Sequence, residues 1–414
     1  MEEEVYRYGR IPMKHKKKFG YQSTINACFV GFVVQAIVNN YVPLLFLTFQ
    51  NTYQIPLSEI TLLVTLNFGL QLTVDLLSVF FVDRIGYRIS LVAAHLCATS
   101  GLVLLAVLPE LLPDPYTGIL IAVMIYAVGG GLLEVLVSPV MEACPTEHKE
   151  KAMSMLHSFY CWGHVGVVLF STAFFALFGI ENWRILACIW ASIPFVNALL
   201  FAKVPIAPLI QDGERGYTLG ELCRQKIFWV FLLMMLCAGA SELSVSQWAS
   251  VFAERALGVS KTIGDLTGPM SFAILMGISR AFYGKYGDKI NLDTFMIGSS
   301  ILCVIANLCI TLTKSPALGL IGCALCGLSV GIMWPGTFSK ASAAIPRGGT
   351  AMFALMALAG DMGCSSGPTL VGMVSSAMGD DLKRGILAAV CFPIVLAAAI
   401  LSLRISPGKQ KKTV

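Results

Sequence analysis

The sequence predicts an all-α membrane protein of twelve spanning helices in two groups of six, and three observations carry that expectation. Of its 414 residues 56% are hydrophobic and only 13% charged, with a mean hydropathy of +0.76, far more apolar than a soluble chain of ordinary usage. The apolar residues fall in long unbroken runs near the ~20 residues that a helix needs to cross a bilayer core, not in the short alternating segments of a membrane barrel. A polar, proline- and glycine-bearing break between Pro205 and Lys226 then divides these runs evenly.

In chain order the runs are 23–48, 59–82, 88–109, 117–142, 152–176, 184–203, 227–252, 263–284, 292–312, 316–339, 348–376 and 384–403. The first follows a basic stretch (Lys14, Lys16, Lys17, Lys18) and is too long for the core of a cleavable signal peptide, so it is expected to be a retained span. In the second, Asn67, Gln71 and Asp75 recur at i, i+4 and i+8 and share one helix face. His95 in the third is expected at a depth similar to Asp75, and interhelical hydrogen bonding is the structural alternative for that acid. The fourth contains Glu134 after Gly129-Gly130-Gly131, and the fifth contains His157, Tyr160, Trp162 and His164. The seventh carries Glu242, Gln247 and Trp248, with Glu242 expected toward the outer half as a gate or cavity wall. The tenth carries Trp334-Pro335. The eleventh carries Asp361 and then Gly367-Pro368, where a break or bend is expected. The sixth, ninth and twelfth are read from their apolar length alone.

Residues 1–204 are therefore expected to form an amino-terminal six-helix half, 205–226 a central cytoplasmic loop and 227–414 a carboxy-terminal half. All 29 Lys and Arg residues except Arg184, Arg255, Lys261, Lys314, Lys383 and Arg384 fall in one alternate set of loops and tails. An excess of basic residues marks the cytoplasmic side, which places both termini there. The formal charge of +5 thus reflects topology and anionic headgroups, and no nucleic-acid partner is expected. Thirteen cysteines are scattered almost entirely through the spans, with Cys323 and Cys326 the only pair at CxxC spacing and no second pair or histidine cluster to complete a zinc site, and read as small buried hydrophobes.

After the second run comes Asp83-Arg84-Ile85-Gly86-Tyr87-Arg88, and after the eighth Arg280-Ala281-Phe282-Tyr283-Gly284-Lys285. The first resembles the Asp-Arg-x-Gly-x-Arg loop of the major facilitator superfamily, with Val79 in place of its leading glycine. Recurrence once per half in a six-plus-six chain strengthens that resemblance. It implies a gating motif at Asp83, Arg84, Gly86, Arg88, Arg280, Gly284 and Lys285, and a binding site between the halves near the midplane.

Four further places are similar to the fucose-proton symporter family: Asn39-Asn40 with Phe49-Gln50, Leu133-Glu134 with Ser138-Pro139, His157-Ser158-Phe159-Tyr160 with Gly163, and Trp334-Pro335. The resemblance implies a proton-coupling role for Glu134 and places His157 at a sugar-proximal glutamine. Pro43 stands where that family has an aspartate, Ser138 where it has an asparagine, and His157 replaces an amide. The chain therefore reads as a distant branch.

From the residues alone, an ionisable group inside a span is costly and functional by default. Glu134 and His157 fall in the cytoplasmic half of sequence-adjacent spans, where they could pair and so load and release a proton. The structural alternative is an acid held by backbone amides around the glycine run. Substrate contacts are expected from Asn39, Asn40, Asn67, Gln71, Tyr160, Gln247, Trp334 and Asp361. Asp361 with freed carbonyls could instead hold a cationic group or Na⁺, and close helix packing through small residues is its structural alternative.

These readings converge on a secondary active transporter, not an enzyme, that moves a small polar solute such as a sugar across the plasma membrane by alternating access with proton-coupled symport. Sodium is the second coupling ion to consider. No cofactor, metal or catalytic residue is expected, and the partners are the solute and membrane lipids around a monomer. Efflux by proton antiport is the rival, although the antiporter glycine-proline signature is missing at Trp162-Gly163-His164-Val165-Gly166. An intramembrane metalloenzyme would need clustered ligands, and the five histidines show no HExxH pattern.

Overall fold

The computed structural model describes residues 19–210, 215–249, 269–313, 315–379 and 381–405. The tails and the facing ends of the seventh and eighth runs lie outside them. Helix α1 (Tyr21–Asn40) passes into a 3-10 turn at Val42–Leu45, where Pro43 removes a backbone donor, and then into α2 (Phe46–Tyr53). Only Gly86 separates α3 (Leu57–Ile85) from α4 (Tyr87–Leu111), and its φ of 92° and ψ of 146° are open essentially to glycine alone. Helix α5 (Pro115–Ala143) starts with proline in its first turn and Asp114 as its cap. Helices α6 (Lys149–Phe178) and α7 (Trp183–Phe201) follow.

The polar break is not all loop. It contains α8 (Leu219–Cys223), closed by a capping box between Thr218 and Glu221. Beyond it come α9 (Lys226–Ser246), α10 (Ser271–Tyr286), α11 (Leu292–Leu312), α12 (Pro316–Val330), α13 (Met333–Ala344), α14 (Gly349–Ala377), α15 (Leu382–Ala388) and α16 (Cys391–Ile405).

Every expected run has a helical counterpart, and ten helical stretches among the described residues are long and apolar enough to cross a membrane. The other two counterparts are α10, whose described part has 16 residues, and α14, whose 29 residues are diluted by glycine, serine and threonine. Large apolar side chains such as Leu111, Leu177, Val196 and Leu312 are exposed, as on helices that face hydrocarbon.

Helix α14 runs unbroken through Pro368, so of the break or bend expected there the break does not occur. Its glycines explain this. A Cβ on Gly239 would lie 2.1 Å from the Gly360 carbonyl oxygen, and one on Gly363 2.0 Å from that of Leu236. Backbone-to-backbone packing of α14 on α9 holds the helix across the missing hydrogen bond. Among the earlier helices α4 packs on α5 and α7, and α1 on α5 and α6; among the later ones α9 packs on α14 and α16, and α11 on α12. The two groups meet where α6 touches α10 and α13, and where α14 touches α3 and α5.

Candidate functional site

Glu134 owes its position to the glycines before it. A Cβ on Gly129 would fall 2.6 Å from the Ala94 carbonyl oxygen of α4, and one on Gly131 3.0 Å from that of Gln71 on α3. The glycine run thus lets α5 sink against both neighbours and delivers Glu134 between α1 and α3. There its Oε2 accepts a hydrogen bond from Gln35 Nε2 at 2.9 Å. This side-chain amide, not the backbone, is the partner of the acid.

Two further carboxylates converge on the same point. Asp75 of α3, Glu134 of α5 and Asp361 of α14 each place a carboxylate oxygen within 4.8 Å of the others. Asp75 is fully buried; its oxygens meet no N–H or hydroxyl donor, and its one side-chain neighbour at hydrogen-bonding range is the Asp361 carboxyl. His95 is turned away from it. Its Nδ1 lies 2.7 Å from the Leu91 carbonyl oxygen and its Nε2 2.8 Å from Asn197 Nδ2, which makes it a neutral ring that donates from Nδ1 and accepts at Nε2.

Glu134 and Asp361 face a cavity of about 690 Å³ between the earlier and later helices, within the usual size range of small-molecule sites. Asn39, Asn40, Gln71, His157, Tyr160, Gln247 and Trp334 also line it, so the expected site residues other than Asn67 meet in one place. Asn67 is buried outside this lining with its Oδ1 lacking a donor. Gln71 donates to Asn39 at 2.9 Å, which ties the wall from α3 to α1.

Two expectations are corrected. His157 does not pair with Glu134; its Nε2 lies 3.4 Å from Ser138 Oγ, and its ring packs between Phe32 and Phe338. Arg280 does not lie in a loop after the eighth span; it lies inside the cavity with its side chain buried and donates to Glu242 at 3.0 Å. Glu242, expected as a gate or a cavity wall, stands in the cavity wall as the partner of this guanidinium. The same guanidinium reaches the Gly331 oxygen at 2.9 Å and Cys161 Sγ at 3.1 Å. A charged residue several positions inside an apolar run was the available signal, because such a charge requires a partner.

The cavity residues extend from mid-helix toward the ends far from the 205–226 segment. On the near side a second cavity of about 640 Å³ is lined by Glu142, Lys149, Ser342, Phe353 and Pro208. The two are separated by Phe338, which faces the first, stacked on Phe353, which faces the second, with ring centroids 5.3 Å apart. Below them the first loop motif makes cross-group contacts: Asp83 accepts from Thr350, and Tyr87 bonds the same hydroxyl. Arg88 instead donates to the Phe201 oxygen at 2.9 Å, and the Arg84 side chain is exposed. At the second motif Gly284 lets α10 approach Met155 of α6, and Lys285 lies over the Tyr286 ring. The ion pair that joins the groups there is Lys151 to Asp288 at 3.0 Å, and the lysine's hydrogen bond holds the Asp288 carboxyl below the usual carboxylate range.

A family model described as the Major Facilitator Superfamily matches residues 27–368. Among curated proteins the chain is 22% identical over 354 residues to membrane protein MosC of Rhizobium meliloti, covering 84% of this chain and 83% of that one. Among solved structures it superposes on FucP, a transporter in the outward conformation, with a TM-score of 0.78 at 16% identity, over 91% of this chain and 98% of that one. It also superposes on the proton:xylose symporter XylE bound to 6-bromo-6-deoxy-D-glucose, with a TM-score of 0.76 at 13% identity, over 93% and 95% of the two chains. At these identities the likeness is one of fold.

Proposed function

The chain belongs to the Major Facilitator Superfamily and is a multi-pass integral membrane protein, and on that premise we propose that it is a proton-coupled symporter of a small polar, sugar-like solute. The observation that carries this reading is the cavity at the meeting of the two helix groups, with Glu134, an acid held by a neutral amide and not by a cation, in its wall. Amides and aromatic rings around it suit hydroxyl-rich solutes, which need both hydrogen-bond partners and flat apolar faces. FucP of E. coli is described as a fucose:proton symporter and XylE as a proton:xylose symporter. Both descriptions favour a sugar and a proton here.

In this reading residues 1–204 and 227–414 are the two rocking halves, each of six spans, and both termini are cytoplasmic in the plasma membrane. The observed conformation then faces outward, with the cytoplasmic path closed by Phe338 on Phe353 and by the contacts at Thr350 and Asp288. The chain works as a monomeric carrier and not as an enzyme. Glu134 holds the coupling proton, and rocking changes its exposure to the two sides.

Proteoliposomes provide the test. Solute uptake should follow an imposed pH gradient, and Glu134→Gln should abolish accumulation while counterflow exchange persists. Normal accumulation by Glu134→Gln would remove the acid from the coupling step.

A further inference from the structure

The convergence of Asp75, Glu134 and Asp361 is more than one coupling acid requires. Three carboxylates whose oxygens lie within 4.8 Å of one another form an all-oxygen donor set. Among the described residues, no ion pair includes any of them. Arg280, the one guanidinium in the same cavity, is taken by Glu242. Like charges held this close repel strongly where water is scarce.

A second observation points to what relieves this. Gln35 is 3% exposed and lines the cavity; its Nε2 is committed to Glu134, and its Oε1 is buried with no donor. The carboxylate fixes which way the amide points, since the reverse orientation would set oxygen against oxygen. A buried carbonyl-type oxygen without a donor, on the amide that holds Glu134, misfits a closed hydrogen-bond network and fits a cation shell. Hard oxygen donors with bonds of about 2.3–2.6 Å select a cation of calcium-like size over thiolate- or imidazole-seeking metals, and sodium shares that chemistry.

We propose that Asp75, Glu134, Asp361 and the Gln35 Oε1 form a binding site for a hard cation, Na⁺ or Ca²⁺, at the junction of the two helix groups. The placement gives it a consequence. Asp75 and Glu134 stand on α3 and α5, Asp361 on α14, so a bound cation favours the conformation in which these helices meet, and a conformation that separates α14 from α3 and α5 has no complete site. This goes beyond the symport reading and does not depend on the identity of the solute.

The test uses neither solute nor gradient, so its failure is distinct from a failed uptake assay. Purified protein is unfolded thermally in choline chloride at constant ionic strength while NaCl or CaCl2 replaces choline in separate titrations. The expected result is a saturable rise in Tm of a few degrees with one of the two salts, and dialysis against radioactive Na⁺ or Ca²⁺ should reach about one ion per chain. Asp361→Asn and Gln35→Leu should abolish the rise, and Asp361→Asn should melt no lower than wild type without cation because a repulsion is removed. Glu181→Gln, at a surface turn, should keep the full response. A flat wild-type Tm and no stoichiometric ion in either salt would overturn the site in favour of acids occupied by protons alone, as would an undiminished response in Asp361→Asn.

Discussion

Arg280 joins more elements than any other charged side chain in the cavity wall. It stands on α10, bonds Glu242 of α9 at 3.0 Å and the Gly331 oxygen between α12 and α13 at 2.9 Å, and meets Cys161 of α6 at 3.1 Å. Removing one member of a buried ion pair leaves the other charge uncompensated, at a cost of about 3–5 kcal/mol. Arg280→Met should therefore unfold at a clearly lower temperature in detergent, and Arg280→Met with Glu242→Gln should recover most of the loss. A double variant as unstable as the single one would show that packing, not charge pairing, holds this point. Glu134, His157 and Asp361 were all legible as residues, because a titratable group in an apolar run stands out. Their partners were not legible: Gln35 to Glu134 and Glu242 to Arg280 are meetings of separate helices, which depth along a helix does not determine. The assumed pair of Glu134 with His157 failed for this reason, since equal depth says nothing about the direction in which either side chain leaves its helix.

At the scale of elements, hydrophobic length placed the spans well, because a helix must satisfy its own backbone in hydrocarbon and so runs as long as the apolar sequence does. Proline acts differently at Pro43 and at Pro368. Pro43 sits in a 3-10 turn beyond the end of α1, whereas Pro368 lies in a helix clamped to α9 through Gly239, Gly363 and Gly367. Glycine carries the opposite lesson at Gly86, whose φ of 92° between α3 and α4 is a conformation that a side chain strains by about 1–3 kcal/mol. Gly86→Ala should lower thermal stability by about that amount. Gly298→Ala, in α11 with nothing within 4 Å of an added Cβ, should leave stability unchanged or raise it by up to about 1 kcal/mol. Equal effects at the two positions would mean that the α3–α4 turn tolerates a side chain and that its glycine has no conformational role.

Taken whole, the described contacts between the two groups concentrate on the side of the 205–226 segment: Asp83 and Tyr87 with Thr350, Lys151 with Asp288, and Ser342 donating to Glu142 at 2.9 Å. Such contacts favour the conformation seen and must break for the cavity to open on that side. Because exposed pairs are individually weak, Asp83→Asn with Lys151→Ala should shift the balance of conformations by roughly two- to five-fold, read as increased labelling of single cysteines facing the 640 Å³ cavity. The pH response separates this latch from the coupling site. Asp288 has its carboxyl lowered by the hydrogen bond from Lys151, so its contribution is complete above the ordinary aspartate value of about 3.9 and is lost only as pH falls through the lower folded value. Between pH 5 and 8 the Lys151–Asp288 pair is therefore constant. Lys151→Ala should accordingly change the rate of uptake and leave the shape of its pH profile from 5 to 8 as in wild type, whereas Glu134→Gln should flatten that profile. A profile displaced along the pH axis by Lys151→Ala would place a titrating group at the latch and detach proton coupling from Glu134.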